Sequence, residues 1–379
     1  MHLYDAQSSR KLDQQIIERG VNPEQLIMRA AASIWNLSKN FTAPGNIWCL
    51  AGSGNNGGDA IGVSGLAKIE NKTVTLITLQ EPKGVSQNIL RFIKLLNVKC
   101  IKSLPKLEEV SKDDLVIDGL IGTGLSRPLE PWLEDGIDWI NKAKMIGAKV
   151  ISIDVPSGMN SSEGVVKHKA VRADATAMCL SAKQGCYTGS AANYTGALHM
   201  MDLGIKKPQK YLSGTSYLLT KEVATPRTRS NISHKGNFGT VLILGGWDGM
   251  EGAGHLAAKA ALKVGAGKVY LCGGNIKNQP PEAIYVRRNL DEFNSILEKS
   301  DCIVAGPGLG QNANDYLYAA WLSKKPLVLD ADGLNWLSKT KPTQRKNFIG
   351  TPHPGEAKTL LHSSSTKRFK LLKRLQLNM

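Results

Sequence analysis

The chain of 379 residues lacks several features that would assign it to a class at once. Its six cysteines are scattered and none forms a C-x-x-C pair, which argues against a zinc site or a redox motif. No apolar run approaches the roughly 18 residues of a membrane span. The N-terminus, MHLYDAQSSRKLDQQ, lacks the charged-then-apolar pattern of a signal peptide. These absences predict a cytoplasmic protein with free thiols and no membrane partner.

Signals for nucleic-acid binding are also missing, although the formal net charge is +16. Residues 1–213 carry 25 basic and 20 acidic side chains, and residues 214–379 carry 23 and 12. No RNA-binding aromatic motif, zinc finger or helix-turn-helix pattern accompanies this excess. We therefore expect a positive field that attracts a phosphorylated small molecule, and no nucleic-acid partner.

What the chain does have is an alternation of apolar runs and amphipathic stretches. Two helices are expected first, the second with Asn22 as its cap and Pro23 in its first turn. Strands are then predicted at 47–51, 74–79, 115–117, 150–153 and 175–180, and helices at 58–70, 86–97 and 132–146. This order predicts an α/β fold with a mostly parallel sheet covered on both faces.

A stretch rich in turn-forming and basic residues, 206–238, interrupts the alternation. The pattern then restarts, with strands predicted at 240–244, 268–272, 302–305 and 326–329 and helices at 252–265 and 313–322. We therefore predict two different α/β domains: a first domain at 1–213, a linker at 214–235 and a second domain at 236–379.

The most informative stretch is CLAGSGNNGGD, residues 49–59. Its glycines form a G-x-G-x-x-G turn between a predicted strand and a predicted helix, where the backbone passes close to a phosphate. Asn55, Asn56 and Asp59 add amide and carboxylate oxygens, which suit ribose hydroxyls or a hard cation. Taken alone, the glycine pattern is equally compatible with an ordinary turn.

Three predicted strands of the first domain end in polar motifs. The glycine turn follows one, Asp118 ends another in DGLIGTGLSRP, and Asp154 ends a third in DVPSG. Because ligands of open α/β sheets bind at the carboxyl ends of the strands, we expect these motifs on one rim. We interpret Asn56, Asp118 and Ser157 as oxygen ligands for a monovalent cation, and Gly122–Gly124 as a second phosphate cradle.

Further candidates follow other predicted strands. Lys183, in SAKQG, is a candidate to supply an ammonium group to the same rim. In the second domain, GGWDGMEGAG indicates an anion cradle at Gly252–Gly254, at the start of a helix. His353 lies between two prolines in TPHPGE, which restricts its backbone and favours a site role.

Together these motifs resemble those of a known family. GSGNNGGD, DGLIGTGLSRP and DVPSG are similar to the N-terminal epimerase domain of the NAD(P)H-hydrate repair enzymes, a Rossmann-like three-layer domain. SHKGNFG, GGWDGMEGAG, GPGLG, LDADGLN and TPHPGE resemble the ADP-dependent dehydratase domain that is fused to it in bacteria, which is ribokinase-like. The resemblance covers nearly the whole chain, to about Leu361.

The resemblance implies a function in metabolite repair. In this family the epimerase interconverts the R and S forms of NADH or NADPH hydrate, and the dehydratase removes water from the S form, driven by ADP breakdown. It implies that Asp154 and Lys183 move protons, that Asn56, Asp118 and Ser157 hold one potassium ion, and that ADP binds the second domain. The implied substrate contacts are Asn55, Asn56, Gly57, Gly58, Asp59, Gly122, Thr123, Gly124, Leu125, Ser126, Arg127, Pro128 and Asp154, with Ala253, Gly308 and His353 in the second domain.

The sequence departs from the family pattern after Leu361. The lysine-glycine segment for ADP and the glycine-rich turn with the catalytic acid, which the family carries beyond TPHPGE, do not follow. We therefore expect an epimerase, compatible with a homo-oligomer, fused to an incomplete and impaired dehydratase. Two alternatives stay open: an NAD-dependent oxidoreductase that rests on G-x-G-x-x-G, and a protein that binds the hydrate without converting it.

Overall fold

The computed structural model describes residues 1–41, 45–125, 128–225, 228–247, 249–273, 280–310 and 312–361, except the side chain of Glu222. The chain divides into two compact units, Met1–Val223 and Ala224–Met379. Each unit has α/β architecture, as predicted. Within the described residues, no helix is long and apolar enough to cross a membrane.

Strands and helices alternate along most of the first unit. The strands are β1 (His2–Tyr4), β2 (Ile47–Ala51), β3 (Val74–Thr78), β4 (Lys99–Ile101), β5 (Leu115–Gly119), β6 (Lys149–Ile153), β7 (Ala175–Cys179), β8 (Ala182–Lys183), β9 (Ala197–Met201) and β10 (Ser216–Tyr217). The helices are α1 (Ala6–Glu18), α2 (Pro23–Ser38), α3 (Asn55–Ile69), α4 (Val85–Lys94), α5 (Pro131–Ile146) and the short α6 (Lys221–Ala224). Short 3-10 helices occur at Leu107–Glu109, Gln184–Tyr187, Ala191–Asn193 and Pro208–Lys210.

The main sheet of this unit has seven strands in the order β4-β3-β2-β5-β6-β7-β9. All its neighbouring strands run parallel. The five strands predicted from apolar runs are all present, within two residues of their expected ends. The short edge strands β4 and β9 were not predicted, because β4 is partly exposed and has no apolar run.

The sheet is covered on both faces, as the packing of β2 illustrates. Its side chains alternate between the two faces. Ile47, Cys49 and Ala51 pack in the core formed with α1–α4. Trp48 and Leu50 pack on the opposite face, in the core formed with α5. Burial on both faces explains why the strand reads as one continuous apolar run, and it gives the unit three layers.

Helix α2 begins as the sequence predicts. The Asn22 side chain accepts hydrogen bonds from the backbone N–H groups of Glu24 and Gln25, and Pro23 occupies the first turn. The helix packs closely on α3: a Cβ atom at Gly62 would lie 2.6 Å from the Cβ of Ala31. This contact keeps α3, which begins at the glycine turn, fixed against the rest of its layer.

A second, three-stranded sheet in the order β10-β1-β8 was not predicted. β1 pairs parallel with β8, Tyr4 opposite Lys183, and antiparallel with β10, His2 opposite Tyr217. These strands have only two or three residues, too few to show an alternation. β10 lies within the predicted linker, whose limits at 214 and 235 stay a prediction.

The second unit is built on a six-stranded sheet. Its strands are β11 (Thr240–Leu244), β12 (Lys268–Cys272), β13 (Ile284–Val286), β14 (Cys302–Ala305), β15 (Leu327–Leu329) and β16 (Phe348–Gly350), and its helices are α7 (Glu251–Val264), α8 (Leu290–Lys299), α9 (Asn314–Leu322), α10 (Asp332–Thr340) and α11 (Pro354–Leu361). A 3-10 turn occurs at Lys235–Phe238. The strand order is β13-β12-β11-β14-β15-β16, and all pairs run parallel. The predicted strands and helices of this unit are all present.

Candidate active site

Three neighbouring strands bring the polar motifs of the first unit to one edge of the sheet. β2, β5 and β6 lie side by side, so the glycine turn, Asp118 and Asp154 all lie at this edge. Gly52 donates its backbone N–H to Gly119 O at 3.0 Å, which fastens the glycine turn to the end of β5. The structure therefore places these motifs on one rim, as the sequence predicted.

The glycine turn has no room for side chains at two positions. A Cβ atom at Gly52 would lie 1.9 Å from Leu120 O, and one at Gly57 would lie 1.9 Å from Gly52 O. Helix α3 begins directly after the turn at Asn55, which is exposed, and no side chain in the described chain caps it at Gly54. The first N–H groups of α3 are therefore open to an anionic ligand.

Asn56 connects the glycine turn with the loop that follows β5. Its side chain is half-buried, and its Nδ2 atom is buried without a hydrogen-bond partner in the described chain. A Cβ atom at Gly122 would lie 2.9 Å from Asn56 Oδ1 and 3.5 Å from the Cβ of Asp154. Asn56, Gly122 and Asp154 are thus brought together, and the unpaired amide is a group that a ligand can satisfy.

Asp118 is completely buried. One carboxylate oxygen accepts hydrogen bonds from Ser152 Oγ at 2.7 Å and from the backbone N–H of Ser157 at 2.9 Å. The other accepts from Ser157 Oγ at 2.6 Å. Burial raises the pKa of Asp118, although the hydrogen bonds from Ser157 and Ser152 act in the opposite direction. Asp118 and Ser157, two of the predicted cation ligands, are therefore in direct contact.

Lys183 and Asp154 form a buried ion pair. Lys183 is 2% exposed, and its Nζ also donates to Cys179 O at 2.6 Å. Asp154 has a φ of +66°, a left-handed conformation that aspartate adopts more readily than most residues, and its carboxylate accepts from the Cys179 N–H at 3.2 Å. Burial lowers the pKa of Lys183, but the Asp154 and Asp13 carboxylates outweigh this effect and raise it above its usual value.

Two more carboxylates lie near this ion pair. Asp59, on α3, is buried, and burial followed by the Asp154 and Asp13 charges raises its pKa well above the usual range. Asp13, on α1, was not predicted as a site residue, because no motif surrounds it. Burial raises the pKa of Asp13 to about 6, with Lys183 opposing this shift and Asp154 adding to it. The one pattern that relates Asp13 to the buried face of α1 is helical spacing, because Asp13 follows the buried Ser9 by four residues.

The remaining predicted contacts of the first unit lie in or beside the same loops. Gly57 and Gly58 are buried in the first turn of α3. Gly122 is buried, Thr123 and Leu125 are half-buried, and Gly124 and Pro128 are exposed along the loop after β5. Ser126 and Arg127 lie outside the described residues. The two glycine-containing loops approach each other at Asn56 and Gly122.

In the second unit, the structure brings Ala253 and Gly308 together. Gly308 has a φ of +60°, and a Cβ atom there would lie 3.0 Å from the Cβ of Ala253. Trp247 donates its backbone N–H to Gly308 O at 2.8 Å. Asp332, at the start of α10, accepts the N–H groups of Leu309 and Gly310 at 3.0 and 2.9 Å. The glycine loop after β14 is thus held between α7 and α10.

His353 is exposed and makes contacts within its own turn. Its Nδ1 accepts the backbone N–H of Gly355 at 3.0 Å, and its backbone N–H donates to Glu356 Oε2 at 2.8 Å. These bonds cap the start of α11. They orient the imidazole, and the predicted substrate role of His353 stays a prediction.

These features define a two-unit α/β protein whose first unit carries a cluster of charged side chains at its strand ends, and two family comparisons fit the two units. Residues 23–185 match the family described as YjeF-related protein N-terminus. Residues 241–379 match the family described as NAD(P)H-hydrate dehydratase. The chain belongs to the family of bifunctional NAD(P)H-hydrate repair enzymes, as the resemblance implied.

Relatives with this architecture occur in several bacteria. The chain is 32% identical over 392 residues to the bifunctional NAD(P)H-hydrate repair enzyme of Coxiella burnetii, covering 99% of this chain and 79% of that protein. It is 32% identical over 359 residues to the same enzyme of Escherichia coli, covering 91% of this chain and 68% of that protein. The expectation of an impaired dehydratase stays a prediction.

Two solved structures are similar to parts of the chain. An ADP/ATP-dependent NAD(P)H-hydrate dehydratase from Bacillus subtilis, co-crystallised with ATP/Mg²⁺, is 32% identical with a TM-score of 0.34, covering 40% of this chain and 58% of that one. A yeast protein is 15% identical with a TM-score of 0.47, covering 58% of this chain and 98% of that one.

Proposed function

We propose that the first unit epimerises the hydrates of NADH and NADPH, with Asp154 and Lys183 moving the protons. The observation that carries this proposal is the buried Lys183–Asp154 ion pair at the rim, beside the open start of α3. A buried ammonium group with a carboxylate partner provides one proton donor and one acceptor within contact distance. The adjacent helix start suits the phosphates of a dinucleotide.

The chemistry needs both groups. The R and S hydrates differ at the carbon that carries the added hydroxyl. Interconverting them requires the C–O bond to break and to re-form on the other face of the ring. The Lys183 ammonium protonates the hydroxyl, which leaves as water when the C–O bond breaks. The Asp154 carboxylate then takes a proton from the water that adds to the other face. Transfer of that proton from Asp154 to Lys183 within the ion pair restores both groups. Because the ion pair is buried, the protons stay on these two groups instead of exchanging freely with solvent.

We further propose that Asn56, Asp118 and Ser157 hold one potassium ion. The donor set fits this ion, because it combines one carboxylate with neutral amide and hydroxyl oxygens. The contact of Ser157 Oγ with Asp118, at 2.6 Å, and the placement of Asn56 Oδ1 against Gly122 support a shared site. Such an ion balances the buried charge of Asp118 and ties the two glycine-containing loops to the strand ends.

For the second unit we propose contacts of Ala253, Gly308 and His353 with the hydrate, and ADP as the nucleotide. The contact between the Ala253 and Gly308 positions supports a common ligand surface at the start of α7. The Bacillus subtilis dehydratase co-crystallised with ATP/Mg²⁺ supports nucleotide binding. Gly252–Gly254 lie in the first turn of α7, and the start of a helix suits a phosphate.

The direct test of the epimerase proposal is an assay on purified R-hydrate. The chain is incubated with the R form, an intact dehydratase specific for the S form and ADP, and the recovery of absorbance at 340 nm is followed. We expect recovery that depends on the amount of this chain. Binding of the hydrate without recovery would instead identify a non-catalytic binding protein, and absorbance changes with NAD and a hydroxy acid would identify an oxidoreductase.

A further inference from the structure

Helix α1 lies against the strand that carries Lys183. The preceding strand β1 pairs parallel with β8, so that Tyr4 is opposite Lys183. On the helix itself, Ser9 Oγ lies 2.9 Å from Ser181 Oγ, and both residues are buried. Residues four apart share one face of a helix, so Asp13 follows Ser9 along the face that contacts the Lys183 segment.

No partner among the described residues accounts for the Asp13 carboxylate. Within the described chain it makes no hydrogen bond or ion pair, although it is half-buried. The other aspartate of this region, Asp5, caps α1 by accepting the backbone N–H of Ser8 at 2.8 Å. Asp13 therefore stands free in a partly desolvated position, which is unfavourable unless a positive charge compensates it.

Lys183 is the positive charge that acts on Asp13: it opposes the rise in the pKa of Asp13, and Asp13 in turn raises the pKa of Lys183. An ammonium group has three protons, and in the described chain Lys183 directs them to two acceptors, Asp154 and Cys179 O. The titratable groups around Lys183 are Asp154 after β6, Asp59 on α3, Cys179 at the end of β7, Cys186 in the 3-10 turn after β8, and Asp13 on α1. Asp59 is buried and Asp13 only half-buried, so a negative charge is less costly on Asp13, which makes Asp13 the better candidate for a second counter-charge.

We propose that Asp13 is a positioning residue for Lys183: its unpaired carboxylate supplies the second counter-charge that holds the ammonium in place while Asp154 exchanges a proton with the substrate. This inference rests on the proposed epimerase function. Asp13 lies on α1, outside both glycine-containing loops. It would influence the reaction through Lys183 and not through contact with the hydrate.

The pH dependence of the reaction follows from this arrangement. Because burial raises the pKa of Asp13 to about 6, the counter-charge is present above this pH and is lost below it. The epimerisation rate of the unaltered chain should fall on the acid side with a midpoint near this value. In Asp13→Asn the counter-charge is absent at every pH, so the rate should be lower and the acid-side fall should disappear.

The test compares Asp13→Asn, Asp13→Glu and the control Glu18→Gln, which removes an exposed acid from the same helix. The values of kcat and KM are measured from pH 5 to pH 8 with R-hydrate. At pH 7.5 we expect kcat of Asp13→Asn to fall about tenfold with little change in KM, a smaller loss than removal of a positioned acid or base itself produces. Asp13→Glu should restore the acid-side fall, and Glu18→Gln should behave like the unaltered chain.

Thermal unfolding gives a second readout that needs no activity. The folded chain binds a proton at Asp13 more tightly than the unfolded chain does, so this group's contribution to stability decreases as pH rises from about 4 to about 6. The Tm of Asp13→Asn relative to the unaltered chain should therefore increase over this range and then level off, and Glu18→Gln should show no such trend.

The outcomes separate the two proposals. An unaltered chain that does not epimerise contradicts the proposed function and this inference with it. An active chain whose Asp13→Asn variant keeps the same acid-side fall in rate overturns the positioning role alone. A Tm difference that is independent of pH shows that Asp13 does not titrate in the charged cluster, which overturns the inference as well.

Discussion

Ser157 donates its hydroxyl to Asp118 at 2.6 Å and its backbone N–H to the other carboxylate oxygen at 2.9 Å. These two bonds join the end of β5 to the loop after β6. The serine thereby fixes the loop that also carries Asp154, three residues earlier. One buried carboxylate thus links the proposed cation ligands to the proposed proton-transfer pair.

Replacement of Asp118 by asparagine tests the cation proposal. Asp118→Asn keeps the volume of the side chain but removes its negative charge, so we expect epimerase activity to fall and the apparent potassium affinity to drop by about tenfold or more. The measurement is the rate of R-hydrate epimerisation as a function of potassium concentration.

The matched control for that substitution is Asp114→Asn. Asp114 is also a buried carboxylate, but it accepts from Trp48 Nε1 at 2.7 Å at the opposite, amino-terminal end of β5. We expect Asp114→Asn to lower the Tm and to leave the potassium response unchanged. A potassium response in Asp118→Asn equal to that of the unaltered chain would exclude Asp118 as a ligand.

The glycine turn allows a comparison of two alanine substitutions three residues apart. A Cβ atom at Gly57 would lie 1.9 Å from Gly52 O, whereas nothing lies within 4 Å of a Cβ atom at Gly54. We expect Gly57→Ala to lower the free energy of unfolding by about 1–3 kcal/mol and to raise KM for the hydrate, because the turn must shift. Gly54→Ala should change both quantities much less, as measured by denaturant unfolding and epimerase kinetics. Equal effects would show that the turn tolerates a side chain at Gly57.

Asp332 holds the glycine loop of the second unit. In Asp332→Ala the N–H groups of Leu309 and Gly310 lose their acceptor, so we expect stability to fall by about 1–3 kcal/mol. Hydrogen exchange at these two amides should accelerate. The control is Glu298→Ala, which truncates an exposed acid on α8. Unchanged exchange at Leu309 and Gly310 would mean that Asp332 does not hold the loop.

The architecture could be predicted from the sequence because the central strands are buried on both faces. β2, for example, reads as an uninterrupted apolar run for that reason. The rim could be predicted for a related reason: the carboxyl ends of parallel strands lie at one edge of the sheet, so polar residues at these ends lie close together. Asp118, Asp154 and the glycine turn are the cases in point.

The burial of Lys183 and the position of Asp13 near it could not be predicted in the same way. Lys183 lies on β8, which has two residues and pairs with the N-terminal strand β1, a contact between segments about 180 residues apart. A strand of that length has no periodicity to read. Asp13 belongs to the site because this pairing brings α1 beside Lys183. The helical spacing of α1 indicates only that Asp13 shares a face with the buried Ser9, which does not identify a function.

The most direct test of the central proposal is a comparison of two pairs of substitutions. Asp154→Asn and Lys183→Met alter the buried ion pair, and Asp138→Asn and Lys169→Met alter a more exposed ion pair of 2.6 Å in the same unit. Initial rates of R-hydrate epimerisation are measured for all four variants, together with hydrate binding. We expect the first pair to lose about 10²–10⁴-fold in turnover with binding mostly retained, and the second pair to stay close to the unaltered chain. Turnover within a few-fold of the unaltered chain in both Asp154→Asn and Lys183→Met would contradict the proposal that this ion pair moves the protons.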